Sequence, residues 1–370
     1  MALAAASGTG PTGLRGQRPI RLLIVDDSAV ARAVFTRMIA ARPEFEIAAT
    51  VSSADGALAY LSGAWVDIIL LDIEMPGMDG LTALPAVLAA SRGARVLIVS
   101  SSAEEGAVAT IRALTLGAAD TLAKPGAGSF GGRFAEVLAE RLIRIGHARP
   151  PARTGHGLTD GVAEVPLVMR PLSSGPVACV AIGASTGGLH ALSDLLRALP
   201  ADFDAPILIT QHLPPAFMSF FAAQIEEIAG RPAAVAAEGR RLRRGEILIA
   251  PGEGHLGIRL TSGRAAAHIV DGTADSGCMP SVDPMFDSVA AAYGAAAVGV
   301  VLSGMGRDGV VGGRVLADAG ADLLVQNRDT AVVWGMPGAA AAAGLACAIL
   351  PPAQIAETLV RRARAATVTA

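Results

Sequence analysis

The chain has 370 residues, a net charge of −3 and 52% hydrophobic residues. At roughly 150 residues per domain the length suits two or more domains, and the charge argues against a nucleic-acid or anionic-membrane partner. Cys179, Cys278 and Cys347 are scattered with no C-x-x-C spacing, which argues against structural zinc and a disulfide framework and suits a reducing compartment.

Residues 1–19 lack a basic region followed by an apolar core and read as a disordered tail, not a signal peptide. From Arg21 the apolar runs Leu22–Val25, Ile47–Val51, Ile68–Leu71, Val96–Val99 and Thr121–Ala123 alternate with helical segments. That alternation implies a parallel, doubly wound α/β sheet. Ligands of such sheets gather beyond the carboxyl ends of the strands. Asp26 and Asp27 end the first run, Asp72 the third, Ser100 the fourth and Lys124 the fifth. Three converging carboxylates repel one another unless a cation lies among them, and oxygen-only ligands suit Mg²⁺. A lysine and a hydroxyl facing the same spot suit a phosphoryl group. Asp27 and Ser28 can also cap the next helix, but that leaves Asp72 and Lys124 unexplained.

Here the chain resembles a response-regulator receiver domain of flavodoxin-like (βα)5 fold, over residues 20–146. The residues that match are Val25-Asp26-Asp27-Ser28, Leu71-Asp72-Ile73-Glu74-Met75-Pro76-Gly77, Val99-Ser100-Ser101 and Ala123-Lys124-Pro125. The resemblance implies that Asp72 accepts a phosphoryl group from a histidine kinase. It also implies that Asp26, Asp27, Asp72 and the backbone carbonyl of Glu74 hold Mg²⁺. Ser100 and Lys124 would touch the phosphoryl oxygens, and the Lys124–Pro125 bond would be cis. Thr121 departs from the pattern, since receivers usually place an aromatic switch residue there. The signal must then leave through other contacts.

Residues 147–176 lack periodicity and are rich in Pro and Gly, so they read as a linker. His147 and His156, in or beside it, read as solvated. After it the alternation resumes. The run Val177 to Ile182 reads as a buried strand and Leu189 to Leu199 as a helix, with Gly183-Ala184-Ser185-Thr186-Gly187-Gly188 between them. A serine on such a turn sits beside helix-opening N–H groups. It suits a nucleophile with an oxyanion site, a phosphate cradle, or a plain glycine-rich connection.

His212 follows the next strand, Ile207–Thr210, and precedes the helix Phe217–Ala229. Shorter strands follow, with Ile247–Ala250 and Ala266–Val270 the clearest. Ser281 or Asp283 can cap a helix ending near Tyr293. The strand Ala297–Leu302 runs into Ser303-Gly304-Met305-Gly306-Arg307-Asp308-Gly309. Gly304, Gly306 and Gly309 form a literal G-x-G-x-x-G, with Asp329 about 20 residues on, which admits a dinucleotide-binding oxidoreductase. Against it, Ser185, His212 and Asp308 each follow a strand of one presumed sheet, the set that a serine hydrolase needs. Their order, Ser, His, Asp, differs from the Ser, Asp/Glu, His of α/β-hydrolases. The stretch Thr330 to Ala356 is long and uncharged but broken by Gly335, Pro337, Gly338, Gly344, Pro351 and Pro352. It reads as a loop and a packed Ala-rich helix, not a membrane span.

Residues 177–365 resemble the doubly wound, mostly parallel catalytic domain of CheB-type chemotaxis methylesterases (protein-glutamate methylesterase and protein-glutamine glutaminase). The motifs are Ile182-Gly183-Ala184-Ser185-Thr186-Gly187-Gly188, Thr210-Gln211-His212-Leu213-Pro214, Ala250-Pro251-Gly252 with His255, Pro280-Ser281-Val282-Asp283, the Asp308 loop, and Gly335-Met336-Pro337. The resemblance implies Ser185 as nucleophile, His212 as base and acid, Asp308 as its orienting carboxylate, and Thr186 and the Met305 N–H beside the oxyanion. It implies a cytoplasmic enzyme without a cofactor at the esterase site, acting on methylated chemoreceptors without inserting in the membrane. Its phosphodonor would be a chemotaxis histidine kinase. A non-catalytic signalling scaffold is the remaining alternative. Ser303 and Arg307 stand where threonine and asparagine are common, and Arg307 is expected to face solvent. Cys278 is expected to be a small buried hydrophobe, and His190 and His268 are expected to stay outside the chemistry. His255 is expected to line the groove or make a structural hydrogen bond.

Overall fold

A computed structural model of the chain describes residues 18–100, 104–124, 132–146 and 167–368. Residues 1–17 of the expected tail and 147–166 of the expected linker, with His147 and His156, lie outside these. So do Ser101, the Ser100 side chain and Pro125, and with Pro125 the expected cis bond.

Five strand–helix repeats come first: β1 (Ile20–Val25), α1 (Ala29–Ala40), β2 (Phe45–Val51), α2 (Ala54–Gly63), β3 (Ile68–Asp72), α3 (Gly80–Ala90), β4 (Arg95–Ser100), α4 (Glu104–Thr115), β5 (Asp120–Ala123) and α5 (Gly132–Gly146). The strands pair in parallel in the order β2-β1-β3-β4-β5. The central strands are nearly continuous apolar runs because helices cover both faces, and β3 is buried at every position. Local signals start the helices. Ser28 accepts from the Ala31 N–H at 3.2 Å, and Asp79 accepts from the Thr82 N–H at 2.6 Å. The chain reverses direction across the sheet between β1 and β3, which places Asp26, Asp27 and Asp72 at one edge.

The second unit contains β6 (Cys179–Ala184), α6 (Gly188–Ala198), β7 (Ile207–Gln211), α7 (Met218–Ala229), β8 (Ala233–Val235), β9 (Ile247–Ile249), β10 (His255–Thr261), β11 (Arg264–Val270), α8 (Val282–Tyr293), β12 (Ala297–Val301), α9 (Val310–Asp318), β13 (Asp322–Gln326), α10 (Met336–Ala342), β14 (Ala348–Leu350) and α11 (Pro352–Val368). Among the described residues seven strands form one parallel sheet, β14-β13-β12-β6-β7-β9-β8. The expected strand Ala266–Val270 belongs elsewhere, to the antiparallel hairpin β10–β11. In the uncharged stretch after Thr330, α10 and the short strand β14 replace a single loop and helix. No helix among the described residues is long and apolar enough to cross a membrane.

Two features lie between the expected units. Residues at the end of the presumed linker dock on the second unit: Arg170 donates to the Ala321 carbonyl at 3.0 Å, and the Ser173 N–H reaches Asp322 Oδ2 at 3.1 Å. Asp322 is buried with Arg362 as its ion-pair partner, and a buried carboxylate needs every donor within reach. The two units also share apolar packing, with Leu114 and Ala118 of the first in one cluster with Leu189 and Leu192 of the second.

Candidate active site

The second sheet reverses direction between β6 and β12, and three expected residues meet there. After β6 the backbone turns sharply through Ser185 and Thr186 to Gly187, whose φ of +72° belongs to the left-handed region. A Cβ on Gly187 would lie 2.3 Å from Val332, so both conformation and space require glycine. Neighbouring strands tie the turn down. The Ser185 N–H donates to the Ser303 carbonyl at 2.9 Å, and the Ser185 carbonyl accepts from the Gln211 side chain at 3.0 Å. Ser303 Oγ also donates to the Thr186 carbonyl at 2.7 Å.

His212 follows β7, and its N–H donates to the Ala184 carbonyl at 3.1 Å. Its Nε2 lies 2.7 Å from Asp308 Oδ2, with side-chain exposures of 15% and 1%. Asp308 follows β12 and is held by three more donors. Ser281 Oγ lies 2.7 Å from Oδ1, the Val282 N–H 2.8 Å from Oδ2 and the Gly309 N–H 3.2 Å from Oδ1. Burial opposes ionisation of Asp308, but His212, Ser281 and the Val282 N–H outweigh it and hold the carboxyl below its ordinary value. Burial likewise opposes the imidazolium, yet Asp308 and the Cys278 sulfur raise His212 to about 9. Nearby, burial and the Asp308 charge push the Asp283 carboxyl up.

Ser185, Thr186, His212 and Met305 line one cleft of about 400 Å³. The opposite wall comes from the first unit and includes Leu114, Ala119 and Arg141. The Gly187 N–H donates to the Ala119 carbonyl at 3.0 Å, and Arg95 donates to the Val332 carbonyl at 2.7 Å. Arg141 also ion-pairs with Asp120 at 2.8 Å and bonds to the Thr121 carbonyl. At the Thr121 position, then, the contact that leads toward the cleft is an arginine on the backbone instead of an aromatic ring.

At the edge of the first sheet, Lys124 Nζ lies 2.6 Å from Asp72 Oδ2 and 2.9 Å from Asp26 Oδ2. Asp26, Asp27 and Asp72 each offer an oxygen within 4.8 Å of the others. Burial and the Asp26 charge push the Asp72 carboxyl up, although Lys124 opposes them. One lysine thus under-compensates three carboxylates. A crowded oxygen-only set of this kind fits Mg²⁺. The Glu74 N–H reaches Asp72 Oδ1 at 3.4 Å.

Other residues find different places. Cys278 is only partly buried, contrary to expectation, because its loop carries it over His212 and Asp308; the three offer donor atoms within 4.8 Å of one another. His255 is buried and structural: its Nδ1 accepts from the Ser281 N–H at 2.9 Å and its Nε2 faces the Gly272 carbonyl at 3.0 Å. His190 lies elsewhere, with Nδ1 3.5 Å from the Thr115 carbonyl. His268, on β11, pairs with Glu238, and Arg307 is exposed. Ser281, expected only as a cap, accepts from the Asp283 N–H and also orients Asp308. Gln211 and Ser303 were legible only as motif letters, since their roles depend on strand neighbours. In the G-x-G-x-x-G run, a Cβ on Gly304 would lie 2.4 Å from Met336 Sδ and 2.8 Å from Ser185 Cβ. That glycine therefore makes room for the serine turn.

Comparison with known proteins finds a match for each half of the chain. A CheB methylesterase family model matches residues 180–359, and a response regulator receiver domain model matches residues 22–129. The protein-glutamate methylesterase/protein-glutamine glutaminase 2 of Caulobacter vibrioides is 42% identical over 350 residues, covering 93% of this chain and 99% of its own length. A protein of the same description, numbered 1, from Rhodospirillum rubrum is 37% identical over 93% of this chain and 95% of its own length. Among solved structures, the CheB methylesterase catalytic domain of Thermotoga maritima is 32% identical over 50% of this chain and 97% of its own length, with a TM-score of 0.49.

Proposed function

We propose that this chain, which belongs to the CheB methylesterase family, is a phosphorylation-activated serine hydrolase that demethylates glutamyl methyl esters on chemoreceptors. The observation that carries the proposal is the 2.7 Å contact between His212 Nε2 and Asp308 Oδ2 in the cleft that Ser185 lines. Residues 177–365 carry the chemistry, 20–146 the control, and 147–176 join them.

With Nε2 held by Asp308, Nδ1 is the ring nitrogen left to accept a proton. It takes the proton of Ser185 Oγ as the oxygen attacks the γ-carbonyl carbon of the ester. Asp308 keeps the ring oriented and stabilises the imidazolium. The developing oxyanion is met by backbone N–H groups beside Thr186 and Met305; losing one such donor typically costs roughly 10²–10³ in rate. His212 then passes its proton to the departing methanol. Water cleaves the glutamyl-enzyme by the same route in reverse. A glutamine γ-amide enters the same path with ammonia as the leaving group. The chemistry needs no cofactor at this site.

Control resides at Asp72, the phosphoryl acceptor from a chemotaxis histidine kinase. When bound, Mg²⁺ supplies positive charge that lets the carboxylates and an incoming phosphoryl group approach. Asp26, Asp27, Asp72 and the Glu74 carbonyl would hold it, and Ser100 and Lys124 would contact the phosphoryl oxygens. The new charge draws Lys124 from its present pairing and shifts the population away from the arrangement in which the first unit walls the cleft. The enzyme works in the cytoplasm, at the receptors' cytoplasmic helices.

The test is methanol release from methylated receptor membranes, with and without acetyl phosphate and Mg²⁺. Release that rises with the phosphodonor and vanishes in Ser185→Ala is the expected result. Release that persists in Ser185→Ala would refute the proposed nucleophile.

A further inference from the structure

We propose that Cys278, His212 and Asp308 form a binding site for a thiophilic divalent cation such as Zn²⁺, and that the cation shuts the esterase reversibly. A sulfur, a nitrogen and an oxygen ligand lie within 4.8 Å of one another. Zinc takes this donor set, with ligand distances of about 2.0–2.3 Å, which puts tetrahedral donors about 3.3–3.8 Å apart. Closing the set around an ion therefore takes side-chain shifts of about an ångström.

Two features make the shift easy. Cys278 lies in a turn beside Gly277, whose φ is +70°, and its thiol already faces the His212 ring, with a long contact to the Ser276 carbonyl at 3.9 Å on its other side. Access is also available from both sides. Cys278 lines the Ser185 cleft and a second cavity of about 470 Å³ that includes Ser276, Asp283 and Arg307. The open cleft leaves the fourth position to water, as in three-ligand zinc sites. On binding, the thiol and the ring nitrogen that receives the metal give up their protons to solvent. No oxidation occurs. The thiolate and Asp308 then balance the two charges of the ion. A softer cation is drawn here by sulfur and nitrogen, whereas Mg²⁺ prefers the oxygen-only set at Asp72. The consequence follows from the esterase reading: an imidazole bound to metal cannot take the proton of Ser185. The binding itself does not depend on that reading.

The experiment uses the full-length protein in saturating Mg²⁺. Titration with Co²⁺ should produce thiolate-to-cobalt charge-transfer absorption in the near ultraviolet, absent in Cys278→Ser. Cys179 and Cys347 are buried and do not supply that signal. Zn²⁺ should stop methanol release by the wild type, and a chelator that prefers zinc to magnesium should restore it. Cys278→Ser should need at least about tenfold more Zn²⁺ for the same inhibition. Absence of the absorption in the wild type, or equal zinc sensitivity in both proteins, would overturn the proposal. If the absorption appears but neither protein releases methanol without zinc, the metal site stands and the esterase reading falls.

Discussion

The backbone N–H of Gly187 donates to the carbonyl oxygen of Ala119 at 3.0 Å. Gly187 caps the helix that follows Ser185, and Ala119 leads into the last strand of the receiver sheet. N–H groups at such a turn favour negative charge, and here the receiver's own backbone occupies one of them. Closing the cleft and occupying the turn are thus one event.

Arg95 spans the same interface, from the start of β4 to the Val332 carbonyl at 2.7 Å. Removing one such bond costs roughly 0.5–1.5 kcal/mol, which is about two- to twelvefold in the ratio of closed to open molecules. Arg95→Met should therefore raise methanol release by the unphosphorylated enzyme several-fold. The rate reached with saturating acetyl phosphate should not change. A variant with an unaltered basal rate would mean that this contact does not hold the cleft shut.

His212 is a base only when its ring is neutral. With its value raised to about 9 by Asp308 and the Cys278 sulfur, against burial, the fraction in base form grows about tenfold per pH unit below that point. The kcat/KM for ester hydrolysis should climb with pH and level off near 9. The same shift appears in stability. Because the folded value lies above the ordinary 6.5, the stability linked to His212 is complete below about pH 6.5 and is lost as pH rises through about 9. Denaturant midpoints measured across that range check the sign.

Asp72 is a buried carboxylate crowded by Asp26, and its charged form is disfavoured in the fold. Asp72→Asn removes that charge and leaves Lys124 with Asp26. The variant should be more stable than wild type and should show no response to acetyl phosphate. Thermal unfolding and methanol release measure the two effects separately.

Gly304 has no room for a side chain, because Ser185 and Met336 fill the space. Gly304→Ala should cost about 1–3 kcal/mol of stability by overpacking. Esterase activity should fall by at least about tenfold through displacement of the serine turn. Nicotinamide nucleotides should leave the intrinsic fluorescence of the wild type unchanged on titration. A saturable change would restore the dinucleotide reading of these glycines.

Much of this was legible in the chain. Short apolar runs between helical segments imply parallel sheets, because only strands covered on both faces are apolar throughout. Residues at the carboxyl ends of such strands face the ligand edge wherever the chain reverses direction, and this singled out Asp26, Asp27, Asp72, Ser185, His212 and Asp308. What pattern could not supply was adjacency between segments far apart in sequence. Ser281 orients Asp308 because β12 and α8 meet behind the cleft. Cys278 leaves the core because its loop crosses His212. Arg141 reaches the Thr121 carbonyl from α5, across 20 residues of sequence. Strand and helix periods report which face of one element is buried. They do not report which side chain of another element arrives there, and that decided what holds Asp308 and His212 and which wall closes the cleft.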